Sequence, residues 1–364
     1  MPKWGLSMKE GSVVSWLKEL GDEIKKGETF VEIETEKVIN EFESPENGIL
    51  IKKCVEKDIK IPVGTLLALF GPKDTSSDDI NKFILDFNSN FEKQAASNVE
   101  SEELTKKVEI NDININYVQM GSEENPSIVF IHGFGGDLNN WMFNQEKLSK
   151  SFNTFTIDLP GHGSSSKNIP QGDISYLSEV VSKFCETNDL KKINLVGHSL
   201  GGGICLSIAL NNMELISSII LISPIGFGEE IDYEFIEEFI KADSRKELKY
   251  QLEKLYFNNE ILTRDLINEV LKFKRLDGTT EALQKIMNGS LLLEKKQKEF
   301  LKDKISNLTC PITIIWGNDD KIIPVNHSKS LPKDINIKLI NEAGHMPHIE
   351  KPNEINTIIQ DTSI

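Results

Sequence analysis

Two hydrophobic rhythms divide the chain. Over residues 1–72, short β-rich runs are separated by Gly21-Asp22, Lys26-Gly27, Pro45-Glu46-Asn47-Gly48 and Pro62-Val63-Gly64, residue types that supply the backbone angles of tight turns. The run is also self-similar. Gly11 and Gly27 recur as Gly48 and Gly64, a period of 37, and in that register Val13 falls on Leu50, Val14 on Ile51, Ile24 on Ile61 and Ile33 on Phe70. Two copies of one strand–turn unit predict two small sheets related by a pseudo-twofold and closing on one core. Two copies are too few for a solenoid.

From residue 108 the rhythm changes. Near-continuous Val/Ile runs read as strands at residues 127–131, 154–158, 193–196, 218–222, 312–316 and 335–340, with helical stretches between them. Such runs predict a parallel sheet covered on both faces, because strands buried on two sides need apolar residues at successive positions. Residues about 229–304 are rich in Glu, Lys and Leu and nearly free of strand pattern, which predicts a helical insertion, or cap, before the last two strands. Residues 73–107 are polar at both ends, and Ile80, Phe83, Ile84 and Phe87 recur there at helical spacing behind Ser and Asp cap candidates. That segment reads as a linker with a short amphipathic helix. A flexible stretch of about 20 residues spans roughly 25 Å, so the flanking domains, residues 1–72 and 108–364, are expected to move relative to each other.

Composition narrows the function classes. A length of 364 residues fits two domains at ~100–200 residues each, and 38% hydrophobic residues are enough for packed cores. The net charge of −16 is a poor match for nucleic acid or anionic membranes, which attract basic surfaces. No run approaches the ~20 apolar residues of a membrane span and the opening residues show no apolar signal core, so the chain reads as soluble and cytoplasmic. Cys54, Cys185, Cys205 and Cys310 lie far apart without paired spacing, so neither a metal site nor a disulfide framework is expected.

Between the two repeats lies Glu32-Ile33-Glu34-Thr35-Glu36-Lys37-Val38-Ile39-Asn40-Glu41. Alternation leads into and out of Glu36-Lys37, which puts Lys37 at the tip of a hairpin joining the halves. A lone lysine is usually a solvated surface residue; its place at the pseudo-symmetry point, ringed by carboxylates, marks Lys37 as a residue presented for modification. With Met1-Pro2-Lys3-Trp4-Gly5-Leu6-Ser7-Met8 at its start, the region resembles a lipoyl domain, Lys37 matching the lipoylated lysine of the Glu-Thr-Asp-Lys type of turn. Related biotinyl domains carry Met-Lys-Met, whereas Lys37 is flanked by Glu36 and Val38. The resemblance implies lipoate bound covalently to Lys37. Two departures stand out: Glu36 replaces the commoner Asp, and Asp58 stands where the counterpart of Gly21 should be glycine.

The second region carries acyl-transfer chemistry. Gly197-His198-Ser199-Leu200-Gly201 follows a predicted strand and opens an apolar helix, a G-x-S-x-G turn that lifts the serine hydroxyl above the sheet edge while its glycines let backbone crowd together. A serine needs a base to act as nucleophile at neutral pH, and His345 lies just past the last strand, in Glu342-Ala343-Gly344-His345-Met346-Pro347-His348. A carboxylate should orient that imidazole; Asn318-Asp319-Asp320-Lys321, past the preceding strand, offers two. His348 reads as a loop histidine and His198 as a neighbour of the nucleophile packing sideways. Donors for a developing oxyanion are the backbone N–H of Leu200, at the helix start, and that of Phe134 in His132-Gly133-Phe134-Gly135-Gly136.

These motifs, with Asp158-Leu159-Pro160-Gly161-His162-Gly163-Ser164 as a structural rim, resemble the α/β-hydrolases across about residues 108–360. The chain order Ser, Asp, His fits that family. The resemblance favours Asp320 as the acid, three residues after Gly317 and four before Pro324. The fold class that follows is multidomain: a small all-β lipoyl-type flattened barrel, then an α/β-hydrolase fold with a helical cap.

Fold alone does not name a function, but the fusion is telling. A lipoyl domain joined to an α/β-hydrolase domain resembles the acetyltransferase components of acetoin dehydrogenase complexes. Acyltransferases of other 2-oxoacid dehydrogenase complexes carry a His-x-x-x-Asp-Gly motif; here the only Asp-Gly pair is Asp277-Gly278, with Phe273 in place of the histidine. The resemblance implies acetyl transfer from lipoyl-Lys37 to coenzyme A, a thiamine-diphosphate acetoin dehydrogenase and a dihydrolipoamide dehydrogenase as partners, and a homo-oligomeric core. No basic helical pair resembling a subunit-binding domain is present. A lipoyl-linked thioesterase releasing acetate to water would use the same triad, and a pure carrier would use Lys37 alone.

Overall fold

The structure is a computed structural model describing residues 1–2, 10–34, 39–98, 105–298, 301–333 and 335–363. Lys37 and most of the opening run lie outside the described residues. The chain divides into two compact units, Met1–Glu102 and Glu103–Ile364.

The first unit contains β1 (Glu10–Trp16), β2 (Glu23–Ile24), β3 (Thr29–Glu34), β4 (Ile39–Glu43), β5 (Gly48–Lys53), β6 (Lys60–Pro62) and β7 (Ala68–Gly71). They form one sheet in the order β4-β3-β1-β6 and another in the order β2-β5-β7. The 37-residue period extends to the hydrogen-bond register. Trp16 pairs with Val31 and Val13 with Ile33, as Lys53 pairs with Ala68 and Leu50 with Phe70. The register shifts after Val13 and after Leu50, so even the bulge is repeated. Val13, Trp16, Phe30, Val31 and Ile33 from one sheet pack with Ile24 and Leu50 from the other in a single core.

The Asp58 turn keeps the glycine geometry. Gly21 N–H donates to Leu50 O and Asp58 N–H to Val13 O, both at 2.8 Å, with φ of 95° and 62°. Aspartate tolerates this left-handed region better than most side chains. The helix after this barrel, α1 (Ser77–Asn98), has 22 residues and is not short. Ala, Glu, Lys and Gln in its second half favour helix, and no Gly or Pro stops it.

In the second unit, β8 (Thr105–Ile110), β9 (Ile113–Met120), β10 (Ser127–Ile131), β11 (Asn153–Ile157), β12 (Ile193–His198), β13 (Ile216–Ile222), β16 (Ile312–Gly317) and β17 (Asn336–Ile340) form one sheet. Its order is β17-β16-β13-β12-β10-β11-β9-β8. The strands from β10 to β17 run parallel, while β9 is antiparallel to β11 and β8 to β9. The β8–β9 hairpin is absent from the sequence expectation, and β8 starts inside the stretch read as linker. Its Thr105-Lys106-Lys107-Val108-Glu109-Ile110 is a polar edge strand, without the apolar run that betrays an interior one.

Alternation along the strands fills both faces. Ile128 and Phe130 face Trp141 and Leu148 near α2 (Met142–Leu148) and Ile355 and Ile359 of α10 (Pro352–Thr362). Val129 and Ile131 face a larger core with α3 (Ile174–Thr187) and α4 (Leu200–Asn211). Between β13 and β16 the chain forms α5 (Tyr233–Lys241), α6 (Arg245–Leu252), α7 (Arg264–Lys274) and α8 (Thr279–Ile286). This cap segment also holds a two-residue-strand hairpin, β14 (Leu292–Leu293) with β15 (Lys296–Gln297), that its composition does not foretell.

Candidate active site

Ser199 stands between β12 and α4 with φ 54° and ψ −113°, a left-handed turn that a non-glycine residue adopts only when its surroundings enforce it. The enforcement is steric and hydrogen-bonded. Ser199 N–H donates to Ile222 O at 2.9 Å. A Cβ on Gly197 would lie 2.3 Å from Gly201 O, and one on Gly201 would lie 2.2 Å from Ile131 O. Leu200 is the first residue of α4, where a backbone N–H has no partner inside its own helix.

The loop after β10 lies against this turn. A Cβ on Gly133 would come within 3.1 Å of Ser199 Cβ and 2.8 Å of His198 Nδ1. His132 is fully buried: Leu159 N–H donates to its Nε2 at 3.0 Å, so its Nδ1–H donates to Gly133 O at 2.7 Å. The ring of Phe134 meets those of Phe239 and His162 edge-on at 6.2 Å, which joins the loop to cap helix α5. Asp158 accepts from Asn116 Nδ2 at 2.8 Å, Leu138 N–H at 2.8 Å and Ser164 N–H at 2.7 Å, tying the rim loop to the loop after β10. Asp137 caps residues 138–141 by accepting from Asn139 N–H. Burial and the neighbouring Asp158 push its carboxyl up to about 7.

Asp320, not Asp319, meets His345. Its Oδ2 lies 2.8 Å from His345 Nδ1 and also accepts from Trp316 Nε1 at 3.2 Å. Its Oδ1 accepts from Ile322 N–H at 2.9 Å and Ile323 N–H at 3.0 Å. A carboxylate with both oxygens engaged fixes its own rotamer, and its acceptor character places the imidazole proton on Nδ1 and the lone pair on Nε2. Asp319 is exposed and uses its N–H on Ala343 O at 3.0 Å.

Two further histidines surround this pair in ways their sequence positions do not announce. His198 directs Nε2–H to His345 O at 2.8 Å, which links the residue before Ser199 to the loop of His345. His348 lies in the four-residue helix α9 (Pro347–Glu350), not a loop, and its ring packs 4.7 Å from His198 and 4.4 Å from Trp141. Burial holds both imidazoles neutral, His348 down to about 3 and His198 well below the usual histidine range. The structure thus gathers Ser199, His345, Asp320, Phe134 and Leu200 along the carboxyl edge of the parallel strands, the edge where open α/β sheets carry their sites. Lys37, on residues 35–38, lies outside the described residues; β3 and β4 pair on either side of it, with Glu34 opposite Ile39. Among the described residues no group of three His, Cys, Asp or Glu is placed to hold a metal ion, and no helix is long and apolar enough to cross a membrane.

Comparison with known proteins agrees with this architecture. The family model for the alpha/beta hydrolase fold matches residues 126–352, and that for biotin-requiring enzymes matches residues 1–70. Among solved structures, a carboxylesterase from Bacillus subtilis is similar with a TM-score of 0.62 at 18% identity, over 71% of this chain and 90% of that one. A meta-cleavage product hydrolase from Pseudomonas fluorescens reaches 0.64 at 18% identity, over 71% and 97%. These structures show the fold. Over nearly the whole length, the dihydrolipoyllysine-residue acetyltransferase component of the acetoin cleaving system of Cupriavidus necator is 33% identical across 99% of this chain and 95% of that relative. Its namesake in Pseudomonas putida is 35% identical across 98% and 95%. With a lipoyl-type barrel ahead of an α/β-hydrolase domain, and relatives that span both, the chain belongs to the family of dihydrolipoyllysine-residue acetyltransferase components of acetoin cleaving systems.

Proposed function

We propose that the chain moves an acetyl group from the dihydrolipoyl arm on Lys37 to coenzyme A through an acetyl ester of Ser199. The observation that carries this reading is the His345–Asp320 hydrogen bond beside the Ser199 turn. Lipoate attached to Lys37 would supply a thiol that holds the acetyl group as a thioester. The β3–β4 pairing up to Glu34 and Ile39 suits a modified lysine, since Lys37 then belongs to a four-residue connection between paired strands.

The remaining chemistry is done by this chain's residues. Asp320 holds Nδ1–H of His345, leaving Nε2 to take the Ser199 hydroxyl proton as the oxygen attacks the thioester carbonyl. The N–H groups of Phe134 and Leu200 stabilise the oxyanion. The carbon–sulfur bond breaks, and the leaving thiolate takes its proton from the His345 imidazolium. The thiol of coenzyme A then gives a proton to His345 as its sulfur attacks the Ser199 ester; the carbon–oxygen bond breaks and the proton returns to the serine oxygen. The proposed boundaries are 1–72 for the lipoyl domain, 73–104 for the linker and 105–364 for the catalytic domain, moved from residue 108 to include all of β8 (Thr105–Ile110), with the cap at about 229–304 excluding water from the ester. Tethering the arm to the same chain as Ser199 raises its effective concentration there without tight binding. A thiamine-diphosphate enzyme that cleaves acetoin, a dihydrolipoamide dehydrogenase and further copies of this chain are the proposed partners, in the cytoplasm.

The test is mass spectrometry of the protein after exposure to S-acetyl-dihydrolipoamide without coenzyme A. Acetyl on the peptide containing Ser199, absent in Ser199→Ala, is expected. Acetyl confined to another residue would overturn the assignment.

A further inference from the structure

One carboxylate joins the cap to the loop that carries His345. Glu350 ends α9. Its Oε1 accepts from Phe257 N–H at 2.7 Å and from Asn258 N–H at 3.2 Å, both in the cap. Its Oε2 accepts from Gly344 N–H at 2.7 Å, one residue before His345. The N–H of His345 itself donates to Leu255 O at 2.8 Å, so three hydrogen bonds stitch residues 255–258 to residues 344–350, and the Gly344 bond ties Glu350 back to the loop of His345. Gly344 is where the two backbones touch. A Cβ there would lie 2.7 Å from Leu255 O and 2.9 Å from Phe257 N, so a side chain would push the cap off the loop.

The charge on Glu350 depends on this arrangement. Burial pushes its carboxyl up, against the Gly344, Asn258 and Phe257 amides and the adjacent Lys351, which favour the anion. Glu350 thus receives three amide hydrogen bonds from two segments remote in sequence.

We propose that Glu350 is a positioning residue for His345: by bonding the Gly344 amide on one side and the Phe257 and Asn258 amides on the other, it holds the base in place only while the cap is seated. The proposal rests on the reading of His345 as the base for Ser199. Glu350 acts through Gly344 and contributes no atom to the reaction. Cap and base are therefore coupled, and a movement of residues 255–258 that admits substrate is passed to His345. A displacement of about 1 Å at a reacting group is enough to cost on the order of 100-fold in rate.

The test compares full-length wild type, Glu350→Gln, Glu350→Ala and Ser199→Ala on p-nitrophenyl acetate, with active sites counted by fluorophosphonate labelling run to completion. Expected is a kcat per labelled site lower by about 10–100-fold in Glu350→Ala. KM should stay within a factor of about three, and Glu350→Gln, which keeps one acceptor oxygen, should fall between Glu350→Ala and wild type. Fewer labelled sites with wild-type kcat at each would overturn the proposal and leave Glu350 a fold-stabilising residue only. Wild-type labelling of Ser199→Ala would instead overturn the nucleophile reading, and the positioning role with it.

Discussion

Asp319 and Asp320 are chemically identical neighbours, and packing separates them. Asp320 is held by two amides, an indole N–H and His345, while Asp319 faces solvent. Asp320→Asn, which misdirects the imidazole tautomer, should lower kcat by about 1,000–10,000-fold, and Asp319→Asn by less than about threefold. Steady-state turnover of a small acyl thioester checks both; the reverse order would move the acid by one residue. Asp137 gives a pH signature. Its carboxyl is raised to about 7 in the folded chain from an unfolded value of about 4. The folded state therefore binds more protons than the unfolded one between those values, and stability falls as pH rises through that window. Asp137→Asn keeps a capping oxygen and removes the titration. It should raise Tm at pH 8 by about 2–4 °C, corresponding to on the order of 1 kcal/mol, and change little at pH 4. A melt series from pH 4 to 8 decides this, and an unchanged slope would contradict it.

At the scale of elements, legibility followed the strength of the local pattern. The interior strands are runs of Val and Ile that little else in a protein resembles, and residues 127–131 and 312–316 fall on β10 and β16 nearly to the residue. The β8–β9 hairpin could not be read this way: Lys106, Lys107 and Glu109 are exposed on an edge strand and resemble linker. The elbow was legible because glycine, serine and an apolar helix must stand in one order. Glu350 and His198 were not, because their partners are backbone groups contributed by distant loops, and a sequence does not display backbone. The 37-residue repeat lies between these extremes. Its period is visible in Gly11, Gly27, Gly48 and Gly64, whereas Asp58 departs from the glycine pattern and its φ of 62° places it with Gly21. Asp58→Val, a β-branched residue forced into the left-handed region, should destabilise the first unit by about 1–2 kcal/mol, while Asp58→Gly should be neutral or slightly stabilising. Calorimetry of the full chain, following the transition of the first unit, would show it; equal melting of the two variants would contradict the turn assignment.

On the scale of the whole molecule, the proposed function divides the labour between the two units: Lys37 of the first would carry the acetyl group and Ser199 of the second would take it. Lys37→Arg should abolish lipoate attachment, seen as a loss of mass on intact protein, yet leave Ser199-dependent turnover of free S-acetyl-dihydrolipoamide within about twofold of wild type, because substrate then arrives by diffusion and not on the arm. Lipoyl mass remaining on the Lys37→Arg chain would contradict the attachment site. In the proposed function the hydrolase fold delivers its acyl group to a thiol and not to water. The most direct measurement gives the purified chain S-acetyl-dihydrolipoamide with and without coenzyme A, with Ser199→Ala in parallel, and quantifies acetyl-coenzyme A against free acetate. Acetyl-coenzyme A as the main product, dependent on Ser199, is the predicted result. Acetate released at the same rate whether or not coenzyme A is present would contradict the account and make the chain a lipoyl-linked thioesterase.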